Sequence, residues 1–348
     1  MLEKYDNLNY DAKEFFTEEL DNLIPKEFDK QLLERCYIEM NKLYEIGLLF
    51  IIEYLYKYHL ENPKIKYYFK GMINNLLFLY VLHLSEVDPL KYNLPYELFT
   101  NKKIDVWLIN GSSVDLARYL EKCSYDFKLV SGSFEKEDIE EINELEKNHY
   151  LIIPSCYHSK GMSFKLNEFG MFETEEDYRN YKETFLTIRI DEKNYITNYQ
   201  TIGIENVISN EFESNLIKIL LPKSVDDYAK IKSLAQGTKV WLTNQDRLFE
   251  QGKINIQNII ATREDVYEYL LEHSIESCIA LDIVKFLHHV RNSRSNRLWN
   301  KYVTIMKKHN CEESFIEIIS KILYISGRGQ AVSECLFALD KSNYYDEK

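Results

Sequence analysis

The sequence predicts an α+β protein, with a mixed α/β first part and an α-helical second part. Three observations point there. Short β-branched and aromatic runs fall within the first 210 residues: IDVWLI (104–109), YLIIP (150–154), TFLTIRI (184–190) and YITNYQTI (195–202). From 211 onward, apolar residues recur at helical spacing almost without a break. The chain has 348 residues, 45% of them hydrophobic, with only 11 Gly and 6 Pro, so it can bury a sizeable core and has little material for linkers.

The first 30 residues form an acidic segment whose opening, MLEKYDNLNYDAKEFF, lacks the apolar run of a signal peptide. Residues 29–60 read as an amphipathic helix, with Leu32, Leu33, Cys36, Met40, Leu43 and Tyr44 at helical spacing and one break near Gly47. It ends before Pro63. A second apolar helix is expected over about 70–85. Its richest stretch, Leu76 to Leu84, is too short to span a bilayer and reads as buried core. A turn-rich connector with Pro89 and Pro95 follows, then the IDVWLI strand, the Asn110-Gly111 turn and a helix from Ser112 to Cys123. Residues 134–147 suit an acidic helix with a solvated face, and 150–154 a short buried strand. TFLTIRI and YITNYQTI look like strands of one sheet. Helices are expected at 211–220, 225–235, 264–272, 277–291, 297–308 and 312–325. Trp107 and Trp241 lie in strongly patterned segments and read as core.

The formal net charge is −13, which repels a phosphate backbone at long range, so nucleic-acid binding would have to come from a local basic patch. The 27 Tyr, with many Lys, Asn and Ile, reflect compositional bias and are no binding signal. The six Cys (36, 123, 156, 278, 311 and 335) form no C-x-x-C pair, which argues against a zinc knuckle and for reduced thiols in a cytoplasmic protein. Cys156-Tyr157-His158 and His288-His289 read as structural and surface residues respectively.

Two segments carry a resemblance. Lys70 to Phe99 (KGMINNLLFLYVLHLSEVDPLKYNLPYELF) resembles the stretch that runs from the Gly-Ser motif of a polymerase palm into E-V-[DN]-P-L. The more specific segment, LAQGTKVWLTNQDRLFEQGKI from Leu234 and then IIATREDVYEYLLEHSIESCIALDIVKFLHHVR, is similar to L-S-H-G-T-D-V-W followed by a C-R-D-D-I-M-x-Y-L box and V-R-K-G-K. Residues 306–339 parallel a later block in the same order. The family is the bacterial DNA polymerase III α subunit of the PolC type. The resemblance covers roughly 30–340 and implies a mixed-sheet palm-like domain at 31–210, with a reduced thumb-like insertion at about 112–180. A fingers-like helical domain, truncated, is then expected at 211–348. The blocks present leave out the family's phosphatase-like and exonuclease domains and stop inside the fingers.

The chemistry of that family needs carboxylates. Two Mg²⁺ ions about 3.5–4 Å apart stabilise the attacking and leaving oxygens, and Mg²⁺ takes carboxylate oxygens. The resemblance places two Asp on a P-D-I-D strand and a third on an L-K-L-D strand. Here Asp105 matches the second, Lys103 replaces the first, and the third falls at Gln200. An ammonium at Lys103 repels the ion it should hold. Lys70-Gly71 survives from the Gly-Ser motif, but Met72, Asn74, Asn75 and Leu76 replace small residues that would let a backbone approach phosphate. Glu146 to His149 replace a His-Pro-Gly-Gly motif. In the helical part, Arg263, Arg291, Arg294 and Arg328 keep cationic positions that the resemblance directs toward a triphosphate, and arginine suits phosphate through its planar fork.

The expectation is thus a catalytically inactive relative that binds DNA, a nucleotide or a replication protein, of a kind suited to mobile elements or phage. It uses no cofactor and no membrane. One rival is an active, Mg-dependent nucleotidyltransferase with rearranged carboxylates, such as Asp105 with Asp191 or Glu205. Another is a decoy for the replisome that makes no DNA contact.

Overall fold

The computed structural model describes residues 2–24, 30–99, 104–109, 116, 119, 152–154, 189–190, 196–197, 211–288 and 296–346. The chain forms two compact units, Met1–Met162 and Ser163–Lys348.

In the first unit, the N-terminal segment is helix α1 (Leu2–Leu23). Its buried residues Ala12, Phe16 and Leu20 recur every four positions and form one stripe. The amphipathic stretch after it divides at Gly47, as its spacing suggests, into α2 (Lys30–Glu45) and α3 (Leu49–Glu61). Gly47 takes φ 75°, a left-handed conformation open to glycine at little cost.

The expected helix at 70–85 is corrected. Strand β1 (Lys66–Lys70) runs into its start, a 3₁₀ turn spans Met72–Asn75, and only Leu77–Val81 form a short helix, α4. Gly71 explains the break. Its φ of 88° and ψ of −164° lie in a region that only glycine occupies comfortably.

Strand β2 (Ile104–Ile109) is the expected IDVWLI strand, and β3 (Ile152–Pro154) follows it in the sheet. The sheet order is β1-β2-β3, with β1 antiparallel and β3 parallel to β2. Ile104, Val106 and Leu108 are buried, and the register pairs Leu108 with Tyr67 and Val106 with Phe69, both fully buried. This face is packed core. The alternate rungs are Lys66–Ile109, Tyr68–Trp107 and Lys70–Asp105.

In the second unit, β4 (Arg189–Ile190) and β5 (Ile196–Thr197) pair antiparallel as a two-stranded sheet of their own. The remainder of the described unit is helical, as expected. Helices α5 (Glu211–Leu220) and α6 (Val225–Gln236) precede a kinked turn at Trp241–Gln245, where Leu242 and Thr243 leave helical geometry, and the short α7 (Asp246–Glu250). Then come α8 (Arg263–Glu272), α9 (Ser277–His288), α10 (Asn296–Lys308), α11 (Glu313–Lys321) and α12 (Arg328–Asp346). Readable caps start two of them. Ser224 Oγ accepts from the Asp227 N–H at the start of α6, and Thr262 and Asp265 form a capping box on α8.

The most specific segment of the sequence is built into the packing here. Trp241 is buried against Phe249, and the buried Gln245 amide donates to the carbonyls of Val240 (2.9 Å) and Ile260 (2.8 Å). Asn244 Nδ2 ties Lys239 O to Ile318 O, each at 3.0 Å. Gly237 leaves no room for a side chain, because a Cβ there would lie 2.5 Å from Val240 Cγ2. Cys36, Cys311 and Cys335 are buried and Cys278 is exposed, and none of the four forms a disulfide. Among the described residues, no helix is long and apolar enough to cross a membrane.

Candidate functional site

Two places carry the residues singled out by the sequence. The first is the end of the β1–β2 pair. Residues directly opposite in an antiparallel ladder have neighbouring Cβ atoms. The register sets Lys70 directly across from Asp105, and Ile153 pairs with Asp105 from the parallel side. The structure thus brings Lys70, Gly71 and the Asp105 position together. Lys103 and Gln200 lie outside the described residues, as do Asp191 and Glu205.

The turn after Gly71 is not an open cradle. Met72, Ile73, Asn74, Asn75 and Leu76 are all buried. Asn74 Nδ2 donates to Phe69 O (2.6 Å) and Gly71 O (3.0 Å), and Asn75 Nδ2 donates to Pro95 O at 2.9 Å. From α2, the Arg35 guanidinium holds Asn75 O (3.1 Å) and Leu94 O (2.9 Å) through Nη2, while its Nε donates to Glu39 at 2.7 Å. Glu39, fully buried, accepts the Phe78 N–H at 2.8 Å and so caps α4. Burial raises the Glu39 carboxyl to about 7, although its bonds to Arg35 and the Phe78 N–H pull the other way. Nothing in the sequence patterning pointed to this pair. Its signal is an Arg-x-x-x-Glu spacing on one helix face, which is common on solvated helices too.

The second place is the N-terminus of α8. Arg263 is turned inward. Its N–H donates to Ser326 O (2.9 Å), its Nε to Ile325 O (3.0 Å), and its side chain is also bonded to Tyr324. Burial lowers its pKa, against the partial compensation of Tyr324 and Glu264. Arg328 is held by carboxylates. Nη1 and Nη2 reach both oxygens of Glu268 (2.8 and 2.9 Å), and Nη2 also reaches Asp265 Oδ1 at 2.7 Å. The Arg328 N–H donates to Glu264 at 2.7 Å. Asp265 serves the cap as well, accepting from the N–H groups of Ala261 (2.8 Å) and Thr262 (2.7 Å). Burial works to raise its pKa, but the Arg328 and Lys230 cations outweigh it and hold the carboxyl below its ordinary value. Both sequence candidates in this region therefore join α8 to the segment that leads into α12. Arg291 and Arg294 lie between α9 and α10 in sequence, outside the described residues.

Among the described residues, a three-stranded mixed sheet with helices in one unit, and a mainly helical second unit with one two-stranded sheet, define an α+β protein. No family model matches the chain. It is similar to PolC-type DNA polymerase III from several bacteria. It is 31% identical over 144 residues to that of Lactococcus lactis subsp. lactis (strain IL1403), a match covering 40% of this chain and 8% of the relative. It is 25% identical over 150 residues to that of Halalkalibacterium halodurans, covering 43% and 10%. With that of Caldanaerobacter subterraneus subsp. tengcongensis it shares 26% over 153 residues, covering 43% and 10%. The chain thus spans about a tenth of the length of the curated relatives it matches. These matches support a distant PolC-like relationship.

Proposed function

We propose that this chain descends from a PolC-type polymerase core, has lost nucleotidyl transfer, and acts by binding DNA, a nucleotide or a replication protein. One observation carries the reading: Lys70 sits at the rung opposite Asp105. Lys103 stands two residues before that Asp in the sequence. A pair of Mg²⁺ ions needs several anionic oxygens within a few ångströms. An Asp with a Lys at the rung across the ladder, and a second Lys two residues before it in the sequence, does not suit them. The donor set and the group do not fit, so no metal-dependent step is assigned to these residues.

The turn after Gly71 supports the same reading. Phosphate binding there would need exposed backbone N–H groups. The turn is instead filled by Met72 and Leu76 and tied down by Arg35. In the second unit we read Arg263 and Arg328 as scaffold, because each already has hydrogen-bond partners within it. Arg291 and Arg294 stay as the phosphate-facing candidates of the sequence.

The test is primer extension with the purified chain on a primed template, with Mg²⁺ and separately Mn²⁺, beside a titration with Mg²⁺ and dNTP. The reading expects no incorporation. Incorporation that Asp105→Ala abolishes would overturn it in favour of an enzyme with rearranged carboxylates.

A further inference from the structure

The charge of the chain is unevenly spread. From Ile283 to Cys311, 29 consecutive residues contain seven of the 43 Lys and Arg and none of the 56 Asp and Glu. Helix α10 occupies the middle of this acid-free stretch. Arg297, Lys301, Thr304 and Lys308 are all exposed, and their spacing of four, three and four residues sets them on one face. Tyr302 and Met306, on the far side, are buried. Trp299 stacks on Phe286 of α9 with ring centroids 5.9 Å apart, and the Tyr302 ring meets Phe286 edge-on at 5.5 Å. The apolar side of α10 is thus used within its own unit, and the side left to solvent is cationic.

A solvated helix face ordinarily mixes both signs. This one does not, in a chain of net charge −13. Among the described residues, Arg297, Lys301 and Lys308 have no ion-pair partner, whereas Lys307, off the stripe, lies 3.4 Å from Glu313. From Arg297 to Lys308 the row runs for about 16 Å along the helix axis.

We propose that this stripe is a docking surface for the phosphate backbone of duplex DNA. The inference deepens the binding reading above and rests on it for the choice of nucleic acid among polyanions. A duplex suits the stripe better than a single strand for two reasons. It carries a charge every ~1.7 Å of axis, twice the density of one strand. Single-strand sites also add exposed aromatic platforms for bases, and here the aromatic residues of α10 are on the opposite side from the stripe. Insertion into a membrane surface would need the apolar face that Tyr302 and Met306 already bury.

The experiment is fluorescence anisotropy with a labelled duplex of arbitrary sequence, at four or more salt concentrations. The same-length single strand and vesicles of phosphatidylserine and phosphatidylcholine serve as the other arms. The wild-type chain is expected to bind the duplex in preference to both. The triple variant Arg297→Ala, Lys301→Ala, Lys308→Ala is expected to lower the slope of log affinity against log salt by about 2.7, at about 0.9 for each phosphate no longer neutralised. Lys91→Ala with Lys253→Ala, exposed elsewhere, should leave the slope unchanged. Circular dichroism verifies folding, and Lys301→Ala alone, expected to lower the slope by about 0.9, serves if the triple variant misfolds. Wild-type binding with an unchanged slope in the variants overturns the stripe and leaves the binding reading intact. Tighter binding to the single strand, or to vesicles, overturns the duplex assignment. No binding to DNA of either kind removes this inference, while the lost-catalysis reading is judged separately by primer extension.

Discussion

Replacing Arg328 with alanine separates a scaffold role from a ligand role. The guanidinium makes three hydrogen bonds of 2.7–2.9 Å to Asp265 and Glu268, and its side chain is 13% exposed. The partners are 12% and 28% exposed, so its removal leaves two partly buried carboxylates without the guanidinium that joins them, with Lys230 still acting on Asp265. Breaking a buried pair in this way costs about 3–5 kcal/mol, because the stranded charges keep their desolvation penalty. Spread over a unit running from Ser163 to Lys348, each kcal/mol lowers Tm by roughly 2–4 °C. The expected drop is therefore about 6–20 °C by calorimetry or circular dichroism. Adding Glu268→Gln should recover part of it, since the double variant strands one charge fewer. Were Arg328 held in reserve for a phosphate, the alanine variant would keep its melting temperature and lose affinity for triphosphate instead. A Tm within about 2 °C of wild type would refute the scaffold argument.

Two further outcomes follow from buried groups. Glu39 has its carboxyl raised from 4.5 to about 7 in the folded chain. Between those values the folded state binds more protons than the unfolded one, so this residue's contribution to stability falls as pH rises from 4.5 to 7 and is flat above. The full swing is about 3 kcal/mol. Urea midpoints at pH 5, 6, 7 and 8 should show Glu39→Gln losing this slope, and equal slopes in both chains would contradict it. At Gly237, an added Cβ meets Val240 Cγ2 at 2.5 Å and Ser233 O at 3.1 Å, and Val240 is fully buried. Gly237→Ala is expected to cost about 1–3 kcal/mol through overpacking. The pair with Val240→Ala should cost less than the sum of the two by thermal unfolding, and strict additivity would show that the clash is relieved elsewhere.

Most helices of the second part were legible through their own apolar spacing, whereas the one expected over 312–325 stops at Lys321, where Ile322 turns extended. Apolar spacing marks α6 and α8 within a residue or two of their ends. The IDVWLI strand was legible for the same kind of reason, through its aromatic and β-branched run. The stretch around Leu76 to Leu84 misled because it is apolar on every side. Periodicity cannot then tell a long helix from a strand, a turn and a single helical turn. Tyr67, Tyr68 and Phe69 carried a strand signal that the longer apolar run beside them masked. At the candidate site, sequence identified which groups were present but not whom they would meet. Arg263 and Arg328 look alike as isolated cations. Only the return of the 322–328 segment onto α8 turns them toward carbonyls and carboxylates.

That distinction bears on why the chain resembles a polymerase at all. Gly237, Trp241, Asn244 and Gln245 all lie in the most specific segment, and each is fixed by sterics, burial or paired amides. Substituting any of them strands buried polar atoms, opens a cavity or creates a clash, a cost borne by folding whatever the protein does. A metal-binding carboxylate is different. It brings like charges together and is tolerated because the ion compensates them, so once catalysis is no longer required its replacement relieves repulsion. The register sets Lys70 at the rung across from Asp105. Packing residues that persist beside altered charged ones are what the proposed loss of chemistry predicts, and the cation row on α10 is where the proposed duplex binding would register.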